Sequence, residues 1–252
     1  MCNKSLSKTA YLDRLGCSEP TQTTFHYLKK LVLAHLLSIP FENLDIHDKI
    51  PITLNIDNIY NKIVARKRGG FCYELNGLFF HLLKSVGYDV RMISARVYGE
   101  DGSLSPEYDH LALLVTINDT SYLTDVGFGE FAIIPLTINT EREQYDGRKY
   151  YRVIKELNGR YLVMHKDKNK WVYDYNFNLK PRSLDEFNQM CEFHQTNSES
   201  HFMKKRVCTI LTKDGRITMA DAELKIDWRG EKFNTSFDSR LINKIQKYYF
   251  FN

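Results

Sequence analysis

Between Arg66 and Gly77 the chain reads Arg-Lys-Arg-Gly-Gly-Phe-Cys-Tyr-Glu-Leu-Asn-Gly, and this stretch constrains the fold more than any other. Cys72 follows a Gly69-Gly70 pair and opens an apolar pattern of helical period. Leu75, Leu78, Phe79, Leu82, Leu83 and Val86 recur at three- and four-residue steps, the mark of an amphipathic helix. Gly87 stands where a left-handed C-terminal cap falls. The paired glycines allow a sharp turn into the helix. The thiol is then expected at a helix N-terminus, where free N–H groups and the macrodipole favour negative charge and lower a cysteine pKa. A buried cysteine can also serve as a small hydrophobe. The flanking glycines and the helix argue for a nucleophile instead.

The chain has 252 residues, enough for a large core in one to three domains. Its 43% hydrophobic and 26% charged residues are those of a soluble globular protein. No apolar run reaches the length of a membrane span, and the N-terminus lacks the apolar core of a signal peptide. Five cysteines without a framework spacing fit a reducing cytoplasm. A net charge of +4 suits anionic small molecules and is too weak to argue for nucleic acid. The basic run Arg66-Lys67-Arg68 reads as a solvated helix end.

Taken in order, the first third is helical. A short helix ends at Gly16, and a longer one after Pro20 turns Phe25, Leu28, Leu31, Val32, His35 and Leu36 to one face. His35 there reads as a satisfied core histidine. Ile39 to Asp45 reads as a loop, and a third helix is expected over Asp57 to Arg66. After Gly87 the pattern becomes strand-like. Val90 to Tyr98, His110 to Ile117, and Tyr122 to Val126 form strands, with Asn118-Asp119 as a turn. Further strands are expected over Ile133–Ile138, Tyr150–Glu156, Arg160–Lys166 and Trp171–Phe177. Such a run suggests a barrel or sandwich. Ser183-Leu184-Asp185-Glu186 is a capping box that opens a helix. A hairpin about Lys213-Asp214-Gly215 and a closing helix from Asp238 complete an α+β chain.

A thiolate nucleophile needs a base, and the base needs an orienting acceptor. His110 and Asp125 lie on the two arms of one expected hairpin, so pairing across its turn brings them near each other. His110 could equally be an edge residue of its strand. Cys191, His194 and His201 offer ligand types without a metal-site spacing, so no metal is expected. No phosphate-loop motif occurs.

Arg68-Gly69-Gly70-Phe71-Cys72-Tyr73-Glu74-Leu75-Asn76, His110 opening an apolar strand, and Asp125-Val126-Gly127-Phe128-Gly129 together resemble the arylamine N-acetyltransferase family, in its bacterial form. Ile39-Pro40-Phe41-Glu42-Asn43-Leu44 matches a further motif of that family. Thr196 to Phe202 resembles its Thr-Ser-Pro-x-Ser-x-Phe segment, with Asn197 and Ser198 departing from it. The resemblance spans nearly the whole chain.

It implies a helical bundle over 1–87 carrying the cysteine, an antiparallel β-barrel over 88–182 carrying the histidine and aspartate, and an α/β lid over 183–252. The core would be of cysteine-protease or transglutaminase type. The implied reaction passes an acetyl group from acetyl-coenzyme A to Cys72 and on to an arylamine or arylhydrazine, with His110 as base and Asp125 orienting it. By residue match Phe41 and Phe128 would line the acceptor pocket, and Pro106, Glu107, Phe193 and Ser200 would contact coenzyme A. The implied protein is cytoplasmic, a monomer or weak homo-oligomer, with no metal and no membrane or nucleic-acid partner. Other readings remain open on the same residues: an amide synthase of this fold, a papain- or transglutaminase-like hydrolase, or a binding protein with a vestigial triad.

Overall fold

The computed structural model describes residues 6–138 and 140–251. Cys2 and the rest of the N-terminal five residues lie outside them. The helical part begins with α1 (Lys8–Arg14) and α2 (Phe25–Ser38), capped by the Ser7 and Thr24 hydroxyls. The two-residue strand β1 (Phe41–Glu42) and the short helix α3 (Leu44–His47) follow. Next come α4 (Ile56–Tyr60), continued by a π turn over Asn61–Ala65, and α5 (Cys72–Ser85). The segment expected as a plain loop thus carries a strand and a helical turn. Gly87 takes φ +97° after α5, as its position predicts.

Eight strands then form one antiparallel sheet. They are β2 (Asp89–Val97), β3 (His110–Ile117), β4 (Thr120–Thr124), β5 (Leu136–Thr137), β6 (Thr140–Tyr145), β7 (Tyr150–Lys155), β8 (Tyr161–Asp167) and β9 (Lys170–Phe177). Their order, β5-β4-β3-β2-β9-β8-β7-β6, curls into a nearly closed barrel. A core of Ile93, Ala112, Leu114, Tyr151, Val163, Tyr175 and Phe177 fills it. β3 is buried along most of its length because its other face packs on α5. The turn at Asn118-Asp119 has positive φ at both residues, which suits a tight hairpin. The strand β6 escaped the sequence reading because its residues are polar and largely exposed.

A 3₁₀ turn (Leu184–Phe187), α6 (Asn188–Thr196) and α7 (His201–Lys204) lead into β10 (Val207–Thr212), β11 (Gly215–Ala220), β12 (Glu223–Trp228) and β13 (Glu231–Ser236). A 3₁₀ turn (Ser239–Leu241) and α8 (Ile242–Tyr249) end the chain. The sequence reading stopped at β11 although β12 alternates polar and apolar residues, while β13 is largely polar and every one of its residues is exposed. These strands make a second sheet of order β1-β10-β11-β12-β13. The segment before the cysteine helix therefore becomes the edge strand of the C-terminal sheet, with Phe41 opposite Thr209. Among the described residues no helix is long and apolar enough to cross a membrane.

The helical part is tied together by buried charge. Lys62 Nζ lies 2.8 Å from Asp45, 2.9 Å from Glu74 and 3.8 Å from Glu42. Arg68 reaches Glu42 at 2.8 Å and Asp45 at 3.1 Å. The helix expected over Asp57 to Arg66 is not regular: its second half is the π turn, which carries the buried Lys62. Arg68 likewise leaves the solvated run assigned to it and folds over two carboxylates. The paired glycines serve by smallness rather than by an unusual turn, since neither has positive φ. A Cβ on Gly69 would stand 2.1 Å from the Pro40 carbonyl oxygen, and one on Gly70 would stand 2.8 Å from Glu74 Cβ.

His35 is fully buried between the rings of Tyr11 and Phe79, and neither ring nitrogen has a partner among the described residues. It is a core residue but not the satisfied one expected. Burial, aided by nearby Arg14, depresses its pKa from 6.5 to about 3.

Two outcomes follow. Lys62→Met leaves three carboxylates facing each other without their main cation, and should cost about 3–5 kcal/mol in urea unfolding. For His35 the unfolded chain binds a proton below pH 6.5 while the folded chain resists it down to about 3, so stability falls with pH across that window. Between pH 6.5 and 5 the loss should be about 2 kcal/mol from this residue. His35→Leu should remove that part of the pH dependence in parallel melts.

Candidate active site

Cys72 is the first residue of α5, behind Phe71 as N-cap. Phe71 has no side-chain oxygen, so no cap occupies the first-turn N–H groups of α5. One turn further, Asn76 reaches out of the same helix toward the barrel. Its Nδ2 donates to the Leu111 carbonyl at 2.7 Å and to Asp125 Oδ1 at 2.8 Å, and its Oδ1 accepts from Val126 N–H at 3.0 Å. Tyr73 hydroxyl donates to the carbonyls of Tyr108 and Asp109, at 2.8 and 3.1 Å. The nucleophile helix thus holds both the start of β3 and the end of β4.

Those two ends carry His110 and Asp125. His110 Nε2 lies 2.6 Å from Asp125 Oδ2, and both residues are about 3% exposed. Asp125 also accepts from Gly127 N–H at 2.9 Å and from the Tyr175 hydroxyl at 3.0 Å. With Nε2 engaged, Nδ1 is the ring nitrogen left for the thiol. The chain passes over Cys72 at Gly127, where a Cβ would come within 2.9 Å of Cys72 Cα. No residue larger than glycine fits there without moving the nucleophile.

Burial acts to raise the Asp125 pKa, but the charge and hydrogen bond of His110, with those of Asn76 and Gly127, outweigh it. The carboxylate therefore stays ionised below its usual range. The thiol behaves otherwise. Burial pushes Cys72 well above the usual cysteine value, and Asp109 and Asp125 add to the rise. Only the hydrogen bond from the Leu111 backbone acts against them. The low pKa expected from the helix N-terminus alone is not realised, because desolvation and two carboxylates outweigh a partial dipole. A thiolate here requires a proton acceptor, and His110 lines the same cavity.

Cys72 and His110 share a cavity of about 470 Å³ with Phe41, Phe128, Phe202 and Asp109. Its far wall is the C-terminal sheet, through Thr209, Arg216 and Thr218. Phe128 packs edge-on to His110 at 5.1 Å.

A family model described as N-acetyltransferase matches residues 24–249. An arylamine N-acetyltransferase pineal gland isozyme of Gallus gallus is 34% identical over 203 residues, 72% of this chain and 69% of its own. The chain belongs to the arylamine N-acetyltransferase family. The crystal structure of such an enzyme from Bacillus cereus, described as having a Cys-His-Glu triad, superposes with a TM-score of 0.90 at 25% identity, covering 98% of each chain. The Mycobacterium marinum enzyme in complex with CoA gives 0.87 at 28%, covering 96% of this chain and 92% of that one. In this chain the carboxylate beside the histidine is an aspartate, Asp125, 2.6 Å from His110 Nε2.

Of the residues singled out from sequence, Cys72, His110, Asp125, Phe41 and Phe128 come together. The four expected at coenzyme A do not line the cavity. Pro106 is exposed, and Glu107 pairs with Arg160 at 3.3 Å. Phe193 packs on His194. Ser200 is buried as the N-cap of α7, its hydroxyl 3.1 Å from His194 Nδ1. Cys191 lies against Ile52 and Gln195, apart from any metal-like arrangement. Among the described residues no group of three or more His, Cys, Asp or Glu could hold a metal.

The sequence reading missed Asn76 and Tyr175 as partners of Asp125. Asn76 had a signal, a polar residue four places after the cysteine on an otherwise apolar helix face. Tyr175 had none, since its partner is 50 residues away. Asp109 and His194 were also missed, although they approach to 3.3 Å at the cavity edge.

The raised thiol predicts a pH signature. In His110→Ala, alkylation of Cys72 by iodoacetamide should be slow at pH 7 and climb about tenfold per pH unit toward pH 9, as the thiolate fraction grows. Wild-type protein should be labelled readily at pH 7. Equal rates for the two proteins at neutral pH, read by peptide mapping, would show that His110 does not take the proton.

Proposed function

We propose that this acetyltransferase uses Cys72, His110 and Asp125 in a two-step transfer from acetyl-coenzyme A to an arylamine or arylhydrazine. One observation carries the reading: the cysteine and the His110–Asp125 pair open onto a single aromatic-walled cavity. The thiol passes its proton to His110 Nδ1 as its sulfur attacks the thioester carbonyl. The Asp125 carboxylate, 2.6 Å from Nε2, stabilises the positive ring and holds its orientation. Developing negative charge on the carbonyl oxygen meets the free N–H groups at the start of α5. The tetrahedral intermediate expels coenzyme A thiolate, which recovers the proton from the imidazolium.

Cys72 is left as an acetyl thioester beside neutral His110. An amine then attacks that carbonyl, His110 accepts the proton the nitrogen sheds, and the thiolate departs as the amide forms. Thioester exchange is close to isoenergetic, whereas thioester to amide is downhill, so the order of the steps follows from bond energies. Phe41 and Phe128 give the acceptor ring flat apolar surface, which favours an aromatic amine over water. The protein is read as acting in the cytoplasm, as a monomer or weak homo-oligomer.

A covalent step must leave a mark before any amine is present. Brief mixing with acetyl-coenzyme A should add about 42 Da, one acetyl group on the nucleophile, by intact-mass spectrometry. The gain should be absent in Cys72→Ala and vanish when an aniline is added, with parallel double-reciprocal plots. Intersecting plots and an unmodified wild-type mass would overturn the covalent route. Asp125→Asn should lower turnover on the order of 10³-fold in a folded protein, through loss of the orienting acceptor.

A further inference from the structure

Asp109, the residue before His110, lines the catalytic cavity with it. Neighbours along a strand point to opposite sides, so a regular approach to β3 would turn Asp109 away. The chain enters β3 instead through Tyr108 at φ +69°, a left-handed conformation uncommon outside glycine. That turn is fastened from two directions. Tyr108 N–H donates to Ser94 Oγ at 2.8 Å, and the Tyr73 hydroxyl of the nucleophile helix donates to the carbonyls of Tyr108 and Asp109. Two consecutive side chains are thereby brought to one cavity.

Behind Asp109 stands a second histidine. His194 Nε2 lies 3.3 Å from Asp109 Oδ1, and its Nδ1 lies 3.1 Å from the Ser200 hydroxyl. The ring is 1% exposed and packs against Tyr73 and Phe202. Burial acts to raise the Asp109 pKa, but the hydrogen bond and charge of His194, with Ser105 and His201, outweigh it and keep the carboxylate ionised. The two pairs are arranged in opposite senses. In His110–Asp125 the histidine faces the cavity and the carboxylate stands behind it, whereas in Asp109–His194 the carboxylate faces the cavity and the histidine stands behind. One pair offers a base and the other a fixed negative charge.

An anion in that place acts unequally on the two half-reactions. The carbonyl oxygen becomes negative in both. In the first, further negative charge departs on the coenzyme A sulfur, so a carboxylate opposes the step. In the second, the attacking nitrogen becomes positive until His110 takes its proton, so a carboxylate favours the step. We propose that Asp109 is a catalytic residue of the amine half, its carboxylate accepting one N–H of the acceptor nitrogen as the new N–C bond forms. The proposal rests on the two-step reading of the transfer. The nitrogen's other proton passes to His110, and the C–S bond breaks with its electron pair going to the Cys72 sulfur, which recovers that proton. The amide keeps the hydrogen held by Asp109, and the carboxylate ends the step unchanged.

The test discharges the isolated acetyl-enzyme with two nucleophiles at neutral pH, aniline and free coenzyme A. The attacking sulfur of coenzyme A never carries positive charge, so its discharge gains nothing from an anion. In Asp109→Asn the ratio of the aniline rate to the coenzyme A rate, read by stopped flow and intact mass, should fall roughly tenfold or more, the worth of a charge-assisted hydrogen bond. Acetylation by acetyl-coenzyme A should not slow in the same variant. If the amide variant does not fold, Asp109→Ser gives the same reading. An unchanged ratio would overturn the assignment, as would an equal loss with both nucleophiles, the mark of a merely structural role. A wild-type protein that acetyl-coenzyme A does not label would instead defeat the two-step reading and this proposal with it.

Discussion

The buried ionic cluster of Lys62 and Arg68 with Glu42, Asp45 and Glu74 underlies the rest of the architecture. Its members come from four separate segments: the β1–α3 stretch, the π turn, the link after it that carries Arg68, and the first turn of α5. Desolvating five charges is costly, and the arrangement holds only because each ion has more than one partner at hydrogen-bond distance. Glu42 Oε2 also accepts from Leu44 N–H at 2.8 Å, and Glu74 Oε2 from Phe71 N–H at 3.2 Å. The cluster sets where Phe41 stands relative to Cys72, because Gly70 and Phe41 are bridged directly behind it. Through β1 it also anchors the C-terminal sheet, so the cavity's aromatic and polar walls are registered to the nucleophile by one set of ion pairs.

Around Cys72 the balance of charge is less favourable to a thiolate than its place on a helix suggests. Asp109 and Asp125 both face it, and burial removes the solvent that would screen them. The helix N-terminus contributes a partial charge confined to one turn. The two carboxylates are themselves held ionised, Asp125 by His110 and Asp109 by a hydrogen bond from His194, each against the effect of burial. Burial and these carboxylates act against the thiolate, and His110, which lines the same cavity, is the residue placed to take the proton.

Much of the catalytic part was legible in the residues. The period change at Gly87 marked the passage from helix to sheet, and the hairpin about Asn118-Asp119 brought His110 and Asp125 to neighbouring positions. Legibility failed where polar strands carry no alternation, as in β6 and β13, and where a charge expected at the surface was drawn inward, as with Arg68. The four residues matched to donor contacts lie outside the cavity that Cys72 and His110 line. Ser200 matched a family position, yet here it caps α7 and bonds to His194.

The sequence by itself determined the helix that Cys72 opens and the hairpin that carries His110 and Asp125, because these depend on local periodicity, caps and turns that act over a few residues. The tertiary structure alone decided the reach of Asn76 and Tyr175 to Asp125, the crossing of Gly127 over Cys72, and the union of β1 with β10. Each joins segments 49 or more residues apart, with a few hydrogen bonds or one close contact to mark it. The direction of the thiol's pKa belongs to the same class. It is set by burial and by the sum of distant charges, and neither has a signature in the order of residues along the chain.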